Sequence, residues 1–291
     1  IGPGFEQVDC VDYNALESVF KKNNGFDAVI NFAASKAVGE SVENPLLYYE
    51  NNLMILINIL KLMLKYGSTN LVFSSSCTVY GQPDILPVTE SAPIKPALSP
   101  YGNTKQICEE IIRDTITANS GLTSVVLRYF NPVGAHQSAE IGELPNGVPN
   151  NLLPFVAQTA IGKRSVLRVF GNDYDTPDGS CIRDYINVVD LAKAHVVSVQ
   201  RMLEKKNKSG FEVFNLGTGR GLTVLEIIKK FEEVNGVKVP FEIVGRREGD
   251  IEKVWADPTY ANTELGWKAE AGIEETLRTA WLWEQKINQT R

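Results

Sequence analysis

The sequence predicts an α/β fold with a parallel sheet, because short apolar runs alternate with helical segments and end in polar residues. Leu71–Phe73 is a β-favouring run that ends on three serines, Ser74–Ser76, which is typical of a buried parallel strand at its carboxyl end. Thr123–Tyr129 is a second such strand, with Val125–Leu127 as its buried centre. Ligands in open α/β sheets bind at the carboxyl ends of strands, so we expect site residues to follow these runs.

The first part of the chain alternates strand and helix patterns. The pattern predicts a strand over Phe5–Asp9, an amphipathic helix over Tyr13–Lys22 and a strand over Asp27–Ala34. The predicted helix Pro45–Lys65 is apolar nearly all round in its second half, so two of its sides must be covered. A helix that begins at Ser99 is one candidate cover, in the same subunit or across a two-fold axis.

The segment Ser99–Lys105 points most directly to chemistry. Ser99 is a predicted N-cap and Pro100 a predicted first helical residue, so Tyr101 and Lys105 share one face of the helix. A phenol with a pKa near ~10 is a poor base at neutral pH, but the Lys105 ammonium and the positive helix end would both favour the phenolate. With a serine hydroxyl from the strand end, this is a proton-transfer arrangement for an alcohol. The alternative interpretation is a half-exposed helix face.

The second part of the chain contains shorter elements separated by loops. Gln82–Pro96 and Gly142–Asn151 are predicted loops. Leu152–Gly162 and Val188–Met202 are predicted helices, and Phe211–Leu216 is a predicted strand. Two further elements are predicted near the end: a strand at Phe241–Val244 and a helix at Ile273–Trp283.

One glycine-rich segment resembles a nucleotide-binding loop without matching it. Gly217–Gly221 lies between a predicted strand and a predicted helix, but the last glycine of Gly-x-Gly-x-x-Gly would fall on Leu222. A structural turn is favoured instead. Thr223 and Glu226 predict a capping box for the next helix, and Gly236 predicts its end.

Composition argues against several classes of function. The 291 residues are 43% hydrophobic and 22% charged, which is enough for a full core. A net charge of -6 and a pI near 5.2 argue against a nucleic-acid partner. The segment Leu53–Leu64 is too short to span a bilayer, and no signal peptide opens the chain, so we expect a cytoplasmic protein and no membrane partner.

No metal is expected. The four cysteines form no Cys-x-x-Cys motif and there are only two histidines, which indicates neither a zinc site nor a disulfide framework. Asp173, Asp175 and Asp178 superficially suggest a calcium loop, but Pro177 stands where a ligand is needed.

Three motifs resemble those of a known family. They are Ser-Ser-Ser-Cys-Thr-Val-Tyr-Gly at Ser74–Gly81, Ser-Pro-Tyr-Gly-Asn-Thr-Lys at Ser99–Lys105, and Leu-Arg-Tyr-Phe-Asn-Pro-Val-Gly-Ala-His at Leu127–His136. From about Asp9 to Trp283 the chain resembles the UDP-glucose 4-epimerases of the extended short-chain dehydrogenase/reductase superfamily. The resemblance implies a doubly wound, Rossmann-like NAD domain with a smaller α/β substrate-binding lobe. It also implies NAD-dependent inversion of UDP-hexoses at C4 through a 4-keto intermediate, a step of galactose metabolism.

The resemblance also assigns site residues. The implied catalytic residues are Ser76, Tyr101 and Lys105. Residues implied to contact NAD are Asp9, Cys10, Phe32, Ala33, Ala34, Lys36, Asn51, Tyr101, Lys105 and Phe130. Residues implied to bind the UDP-sugar are Ser76, Asn131, Asn151, Leu152, Arg168, Phe170, Arg183, Tyr185, Arg247, Asp250 and Val254. Taken alone, Asp9 is equally a helix-start acid and Asn51 a buried amide held by backbone.

Domain organisation and partners follow from the same resemblance. Residues 1–131 would form a partial NAD domain to which 188–216 return, and 132–291 mainly the UDP-sugar lobe. A homodimer is expected through helices 45–65 and 100–118. Residues 1–4 match no dinucleotide fingerprint, so we expect a fragment that lacks about fifty residues carrying the glycine loop and that binds NAD poorly.

Three positions depart from the pattern or leave alternatives open. Asn187 stands where the family usually has histidine, which would change supporting hydrogen bonds. Val254 aligns with a gate residue whose size controls entry of N-acetylated sugars, and its intermediate size leaves UDP-N-acetylglucosamine open. A 4,6-dehydratase or decarboxylase would need Thr-Asp-Glu where Cys77–Thr78 stands, and a non-catalytic nucleotide-sugar-binding module is the remaining alternative.

Overall fold

The computed structural model describes residues 4–145, 147–247 and 249–289. The chain divides into two compact units. The first unit comprises Ile1–Gly81, Ile94–Arg128 and His195–Phe214, and the second comprises Gln82–Pro93, Tyr129–Ala194 and Asn215–Arg291. Within the described ranges, every helix is too short or too polar to cross a membrane.

The first unit is built on a four-stranded sheet. Its strands are β1 (Val29–Asn31), β2 (Asn70–Ser76), β3 (Thr123–Tyr129) and β7 (Phe211–Leu216), hydrogen-bonded in the order β1-β2-β3-β7. β1 and β2 are parallel, and Val29 pairs with Leu71. The helices are α1 (Tyr13–Asn23), α2 (Val38–Glu43), α3 (Pro45–Tyr66), α4 (Pro100–Ala118) and the later turns of α6 (Val188–Leu203).

Helix α3 is covered by the sheet and by α4 of the same chain. Its side chains Leu56 and Met63 are fully buried in one cluster with Ile112 of α4, Phe73 of β2 and Val126 of β3. The prediction that a second helix covers α3 is therefore confirmed within one chain. Part of α3 is nevertheless uncovered, because Leu46, Leu47, Met54 and Leu64 are exposed.

The predicted strand over Phe5–Asp9 is wrong. In the described residues no strand pairs with this segment, and its end is folded into a turn in which Asp9 Oδ1 accepts a hydrogen bond from Val11 N at 2.9 Å. Asp12, three residues later, is the N-cap of α1 and accepts from the amides of Asn14 and Ala15. An extended sequence pattern forms a strand only where a neighbour supplies backbone partners.

The second unit contains one mixed sheet and one pair of strands. In the sheet, β10 (Lys253–Val254) and β4 (Asn131–Val133) run parallel to the central β6 (Ile182–Asn187), and β8 (Gly221–Thr223) is antiparallel to β6. The separate pair consists of β5 (Leu167–Phe170) and β9 (Phe241–Val244), which are parallel. The helices are α5 (Leu152–Ala160), α7 (Val224–Asn235), α8 (Ile273–Gln289) and the first turns of α6.

The end signals predicted for α7 are confirmed. Thr223 Oγ1 accepts a hydrogen bond from Glu226 N at 3.0 Å, and Glu226 Oε2 accepts one from Thr223 N at 2.8 Å, which completes the capping box. Gly236 follows the helix at φ +65°, a left-handed conformation that favours glycine. The cap fixes where β8 ends and α7 begins.

Replacing Thr223 by alanine tests this cap. Thr223→Ala removes the acceptor for the Glu226 amide. We expect it to lower the free energy of local unfolding of the first turn of α7 by about 1 to 2 kcal/mol, and so to raise the amide exchange rates there roughly 5- to 30-fold. Hydrogen exchange read by mass spectrometry measures this. Thr223→Ser keeps the hydroxyl and is the matched control. Equal exchange in both variants would contradict the role of the cap.

Candidate active site

The segment around Tyr101 folds as its sequence predicts. The Ser99 hydroxyl accepts a hydrogen bond from Gly102 N at 3.2 Å, and Pro100 is the first residue of α4. A Cβ at Gly102 would lie 3.3 Å from the Cβ and the carbonyl oxygen of Thr78, so glycine allows the helix start to approach the turn after β2. Tyr101 and Lys105 therefore lie in the first two turns of α4.

Ser76 is held at the carboxyl end of β2. It is the last residue of the strand and the cap of the 3-10 turn Cys77–Tyr80, because its hydroxyl oxygen accepts from Thr78 N at 3.2 Å. With that oxygen accepting, the hydroxyl proton is available for a second bond. A hydrogen bond between Ser76 and the Tyr101 phenol acts to lower the pKa of Tyr101.

Burial has the larger effect on the Tyr101 phenol. It raises the pKa of Tyr101 to about 12, against the lowering that the bond to Ser76 provides. The Lys105 ammonium lies 5.8 Å from the centre of the Tyr101 ring. Burial therefore favours the neutral phenol, and a phenolate here depends on a nearby positive charge or hydrogen-bond donor.

Lys105 is a buried cation with a fixed position. Only 4% of it is exposed, and its ammonium donates to the carbonyl oxygen of Ser74 at 2.7 Å. Burial lowers the pKa of Lys105 to about 8, while the nearby Cys108 and Glu109 side chains act to raise it. The lysine charge therefore depends on its surroundings in the physiological pH range.

Most of the residues expected at the cofactor lie in the first unit. Phe32 and Ala33 follow β1 and are exposed, and the Phe32 ring lies 4.5 Å from the ring of His195. Asn51 donates to the Ser35 hydroxyl at 2.9 Å.

The other expected positions in this unit differ in their exposure. Asp9 and Lys36 are exposed, and Cys10 and Ala34 are half-buried. Phe130 belongs to the second unit and is buried there.

Two arginines of the second unit converge on one carboxylate. Arg247 Nη2 lies 2.7 Å from Asp250 Oδ1, and Arg183 Nη2 lies 3.8 Å from the same oxygen. The Arg247 guanidinium also lies 5.4 Å from the centre of the Phe170 ring. The structure thus brings together three residues expected to bind the nucleotide, beside an aromatic ring.

The sheet of the second unit collects four more of the expected residues. Asn131 on β4 pairs with Tyr185 on β6, and Val254 on β10 pairs with Arg183 on β6. Paired residues of parallel strands share a face, and Arg183 and Tyr185 are two apart, so all four lie on one face. Val254 is only 1% exposed.

Four expected residues of the second unit lie on two other elements, β5 and the start of α5. Arg168 and Phe170 are the exposed positions of β5, and Arg168 Nε lies 3.3 Å from Glu242 Oε1 on β9. Asn151 precedes Leu152 at the start of α5 and donates to Glu143 Oε1 at 2.7 Å. Among the described residues, no hydrogen bond joins Arg168, Phe170, Asn151 or Leu152 to Asp250.

The glycine-rich loop Gly217–Gly221 binds an internal carboxylate. Buried Asp184 accepts from Thr218 N at 2.8 Å, from Gly219 N at 3.1 Å and from Ala256 N at 3.1 Å. A Cβ at Gly217 would lie 2.4 Å from Asp184 Oδ2, so a side chain there would exclude this bond network. The interpretation as a structural turn is confirmed, because the loop amides face Asp184.

Asn187, at the position where histidine was expected, supports two neighbouring elements. Its side chain donates to Thr276 Oγ1 of α8 at 3.0 Å and accepts from Val189 N at 2.8 Å. These bonds belong to the second unit and touch none of the expected catalytic residues.

Two buried charges near the trio of Ser76, Tyr101 and Lys105 were not identified from the sequence. Glu109 is 4% exposed and Arg128 is 3% exposed, and they form a bidentate ion pair. A sequence signal existed for both: Glu109 continues the four-residue spacing of Tyr101 and Lys105 on α4, and Arg128 is a charge within an apolar strand.

Comparisons with known proteins identify the family of the chain. The protein-family model described as GDP-mannose 4,6 dehydratase matches residues 3–280. The UDP-glucose 4-epimerase of Bos taurus is 49% identical over 97% of this chain and 80% of its own length, and that of Bacillus subtilis is 51% identical over 96% and 81%. The crystal structure of UDP-glucose 4-epimerase from Bifidobacterium longum, in complex with NAD+ and UDP, matches with a TM-score of 0.94 and 47% identity, over 98% of this chain and 84% of that chain. This chain belongs to the UDP-glucose 4-epimerase family of extended short-chain dehydrogenases/reductases.

Proposed function

We propose that the protein that carries this sequence interconverts UDP-glucose and UDP-galactose by reversible inversion at C4, with NAD as the oxidant. The observation that carries the proposal is the grouping of Ser76, Tyr101 and Lys105 at the carboxyl end of β2 and the start of α4. Family membership supports it, because the curated relatives named above are UDP-glucose 4-epimerases at 49% and 51% identity.

Tyr101 is the proposed proton carrier. Its phenolate accepts the proton of the sugar C4 hydroxyl as C4 is oxidised to a ketone, and the phenol returns the proton when the ketone is reduced. The Ser76 hydroxyl, whose oxygen is fixed by Thr78 N, orients the sugar oxygen. The Lys105 ammonium, fixed on Ser74, stabilises the phenolate charge.

The residues expected around NAD have the chemistry that such a cofactor needs. Phe32 is an aromatic residue that is 58% exposed, and Ala33 is exposed beside it, so the end of β1 presents an apolar surface suited to a planar ring. Asp9 is exposed, and its carboxylate is an acceptor suited to the amino group of the adenine. When bound, NAD supplies the hydride acceptor and a positive charge that favours the Tyr101 phenolate.

The second unit supplies the proposed diphosphate and ribose contacts. Arg183 and Arg247 present guanidinium groups that suit bidentate contacts with phosphate oxygens, and Asp250 between them accepts from ribose hydroxyls. Epimerisation requires the 4-ketose to turn over while the nucleotide remains bound. A firm hold on the diphosphate meets that requirement, and the sugar is left free to rotate.

A homodimer and a cytoplasmic location are part of the proposal. Exposed apolar side chains remain on α3, notably Leu46 at 79% and Met54 at 37%, and a second copy of the same helix pair would cover them. All four cysteines are free thiols, which suits a reducing compartment.

Removing the Tyr101 hydroxyl tests the proton carrier. We expect Tyr101→Phe to lower kcat for UDP-galactose roughly 10²- to 10⁴-fold, because the C4 proton loses its acceptor. A coupled assay for UDP-glucose measures turnover. Tyr66→Phe, which removes a hydroxyl bonded to Glu17 elsewhere in the first unit, is the control and should retain full activity. A Tyr101→Phe variant as active as this control would contradict the proposal.

Changing Arg183 tests the nucleotide contacts separately. We expect Arg183→Lys to raise the Kd for UDP roughly 10- to 100-fold, because lysine cannot reproduce a bidentate phosphate contact. Isothermal titration with UDP measures this binding. Arg278→Lys, on an exposed position of α8, is the control and should bind UDP like the wild type. Unchanged UDP affinity in Arg183→Lys would exclude Arg183 from the diphosphate site.

A charge on α3 tests the dimer. We expect the wild type to have twice the chain mass of 32.2 kDa in light scattering, and Met54→Glu to shift it towards the monomer by burying a charge at the interface. Leu282→Glu, on α8 at a similar exposure of 41%, should leave the mass unchanged. A monomeric wild type, or a dimer that tolerates Met54→Glu, would count against α3 as the interface.

A further inference from the structure

A buried polar network joins four elements behind the proposed catalytic trio. Glu109 of α4 accepts from Ser75 Oγ of β2 at 2.6 Å and from Arg128 Nε of β3 at 3.0 Å. Its second oxygen accepts from Arg128 Nη2 at 2.5 Å. Arg128 Nη1 donates to the hydroxyl of Tyr80, the last residue of the turn that follows Ser76, at 2.8 Å.

Ser75 and Glu109 connect the network to the strand end and to the helix that carry the trio. Ser75 lies between Ser74, whose carbonyl oxygen holds the Lys105 ammonium, and Ser76, which contacts the Tyr101 phenol. Glu109 lies one helical turn beyond Lys105 on the same face of α4. A change in the network therefore reaches both the strand end and the helix that carry the proton-transfer groups.

The stability of the fold alone does not explain why the Glu109–Arg128 ion pair is buried here. Buried ion pairs are often no more stabilising than apolar residues of the same volume, because the desolvation of two charges offsets their attraction. A bidentate pair with further hydrogen bonds does fix the relative position of the elements it joins. Here those elements are the end of β2, the turn Cys77–Tyr80, α4 and β3.

The groups around the Lys105 ammonium also connect it to the buried network. On its own helix the ammonium faces Tyr101, Cys108 and Glu109, and on β2 it faces the Ser74 carbonyl and the Phe73 ring at 4.9 Å. Arg128 of β3 reaches this cluster through its pair with Glu109. Glu109 is the carboxylate in this group. Its negative charge favours the protonated form of Lys105, and the positive charge of Arg128 beside it weakens this effect.

We propose that Ser75, Glu109 and Arg128 are positioning residues of the reaction: the Glu109–Arg128 pair, through Ser75, holds Ser76 and Lys105 in register with Tyr101. This inference rests on the proposed roles of Ser76, Tyr101 and Lys105. Ser75, Glu109 and Arg128 themselves need not touch substrate or cofactor.

Two variants separate positioning from folding. Ser75→Ala removes one hydrogen bond and leaves the ion pair, and Glu109→Gln keeps the shape and an acceptor for Ser75 but removes the charge. The chain offers a matched control for each. Ser124→Ala removes a buried hydroxyl that has no partner in the described structure, and Glu212→Gln breaks a second buried bidentate pair, with Arg201, in the same unit.

The first readout is turnover of UDP-galactose. We expect Ser75→Ala and Glu109→Gln to lower kcat about 10-fold or more, with KM and the Kd for UDP changed less than about 3-fold, because orientation of the trio and not nucleotide binding is disturbed. Glu109→Gln should also move the alkaline limb of the kcat profile to lower pH, because Lys105 loses a neighbouring negative charge. Both controls should retain the wild-type kcat and pH profile. Equal losses in the test and control variants would overturn the proposal.

The second readout does not depend on turnover. In protein labelled at the lysine ε-carbon, NMR titration gives the pKa of Lys105, whose signal is assigned by its loss in Lys105→Arg. We expect this pKa to fall in Glu109→Gln and to keep its wild-type value in Glu212→Gln. A wild type without turnover would refute the proposed function alone, and the titration would still decide the positioning role. An unchanged Lys105 pKa in Glu109→Gln would overturn that role.

Discussion

The hydrogen bond from the Lys105 ammonium to the Ser74 carbonyl oxygen is the constraint on which the rest of the site depends. It fixes a cation in a buried position, and it ties the start of α4 to the carboxyl end of β2. Between these two elements, Ser76 forms a hydrogen bond with the Tyr101 phenol. Burial acts on both titrating groups of the trio, since it raises the pKa of the Tyr101 phenol and lowers that of the Lys105 ammonium.

The two units carry different parts of the proposed chemistry. The first contains the proton-transfer trio and most residues expected at NAD, and the second contains Arg183, Arg247 and Asp250. In the second unit, a glycine-rich loop that resembles a phosphate-binding loop turns its amides to Asp184. The same donor geometry thus satisfies a buried carboxylate, and the guanidinium groups remain as the candidates for binding phosphate.

Local signals in the sequence predict local structure well here. The Ser99 cap and the capping box at Thr223 were predicted and are confirmed, because each depends on residues a few positions apart. The strand Thr123–Tyr129 is also confirmed, and β2 and β7 on either side of it supply its backbone partners. The strand over Phe5–Asp9 failed because pairing depends on a distant partner. The site could be predicted as far as Tyr101, Lys105 and a serine of the strand end, which motif and helix spacing bring together.

The buried network behind the site could not be predicted in this way. Glu109 and Arg128 are nineteen residues apart on a helix and a strand, and no spacing rule links them. Ser75 is one of three adjacent serines, and only the structure shows which of them bonds Glu109 and which contacts Tyr101. Recognition of such a network from sequence needs knowledge of which strand lies beside which helix.

In the proposed reaction, hydrogen leaves C4 of the sugar as hydride and returns to the same carbon, while Tyr101 moves only the hydroxyl proton. UDP-galactose that carries deuterium at C4 tests this most directly. After turnover in ordinary water, NMR and mass spectrometry of the product should show UDP-glucose with the deuterium retained at C4. Loss of the deuterium to solvent, or a product that has lost water, would contradict the account.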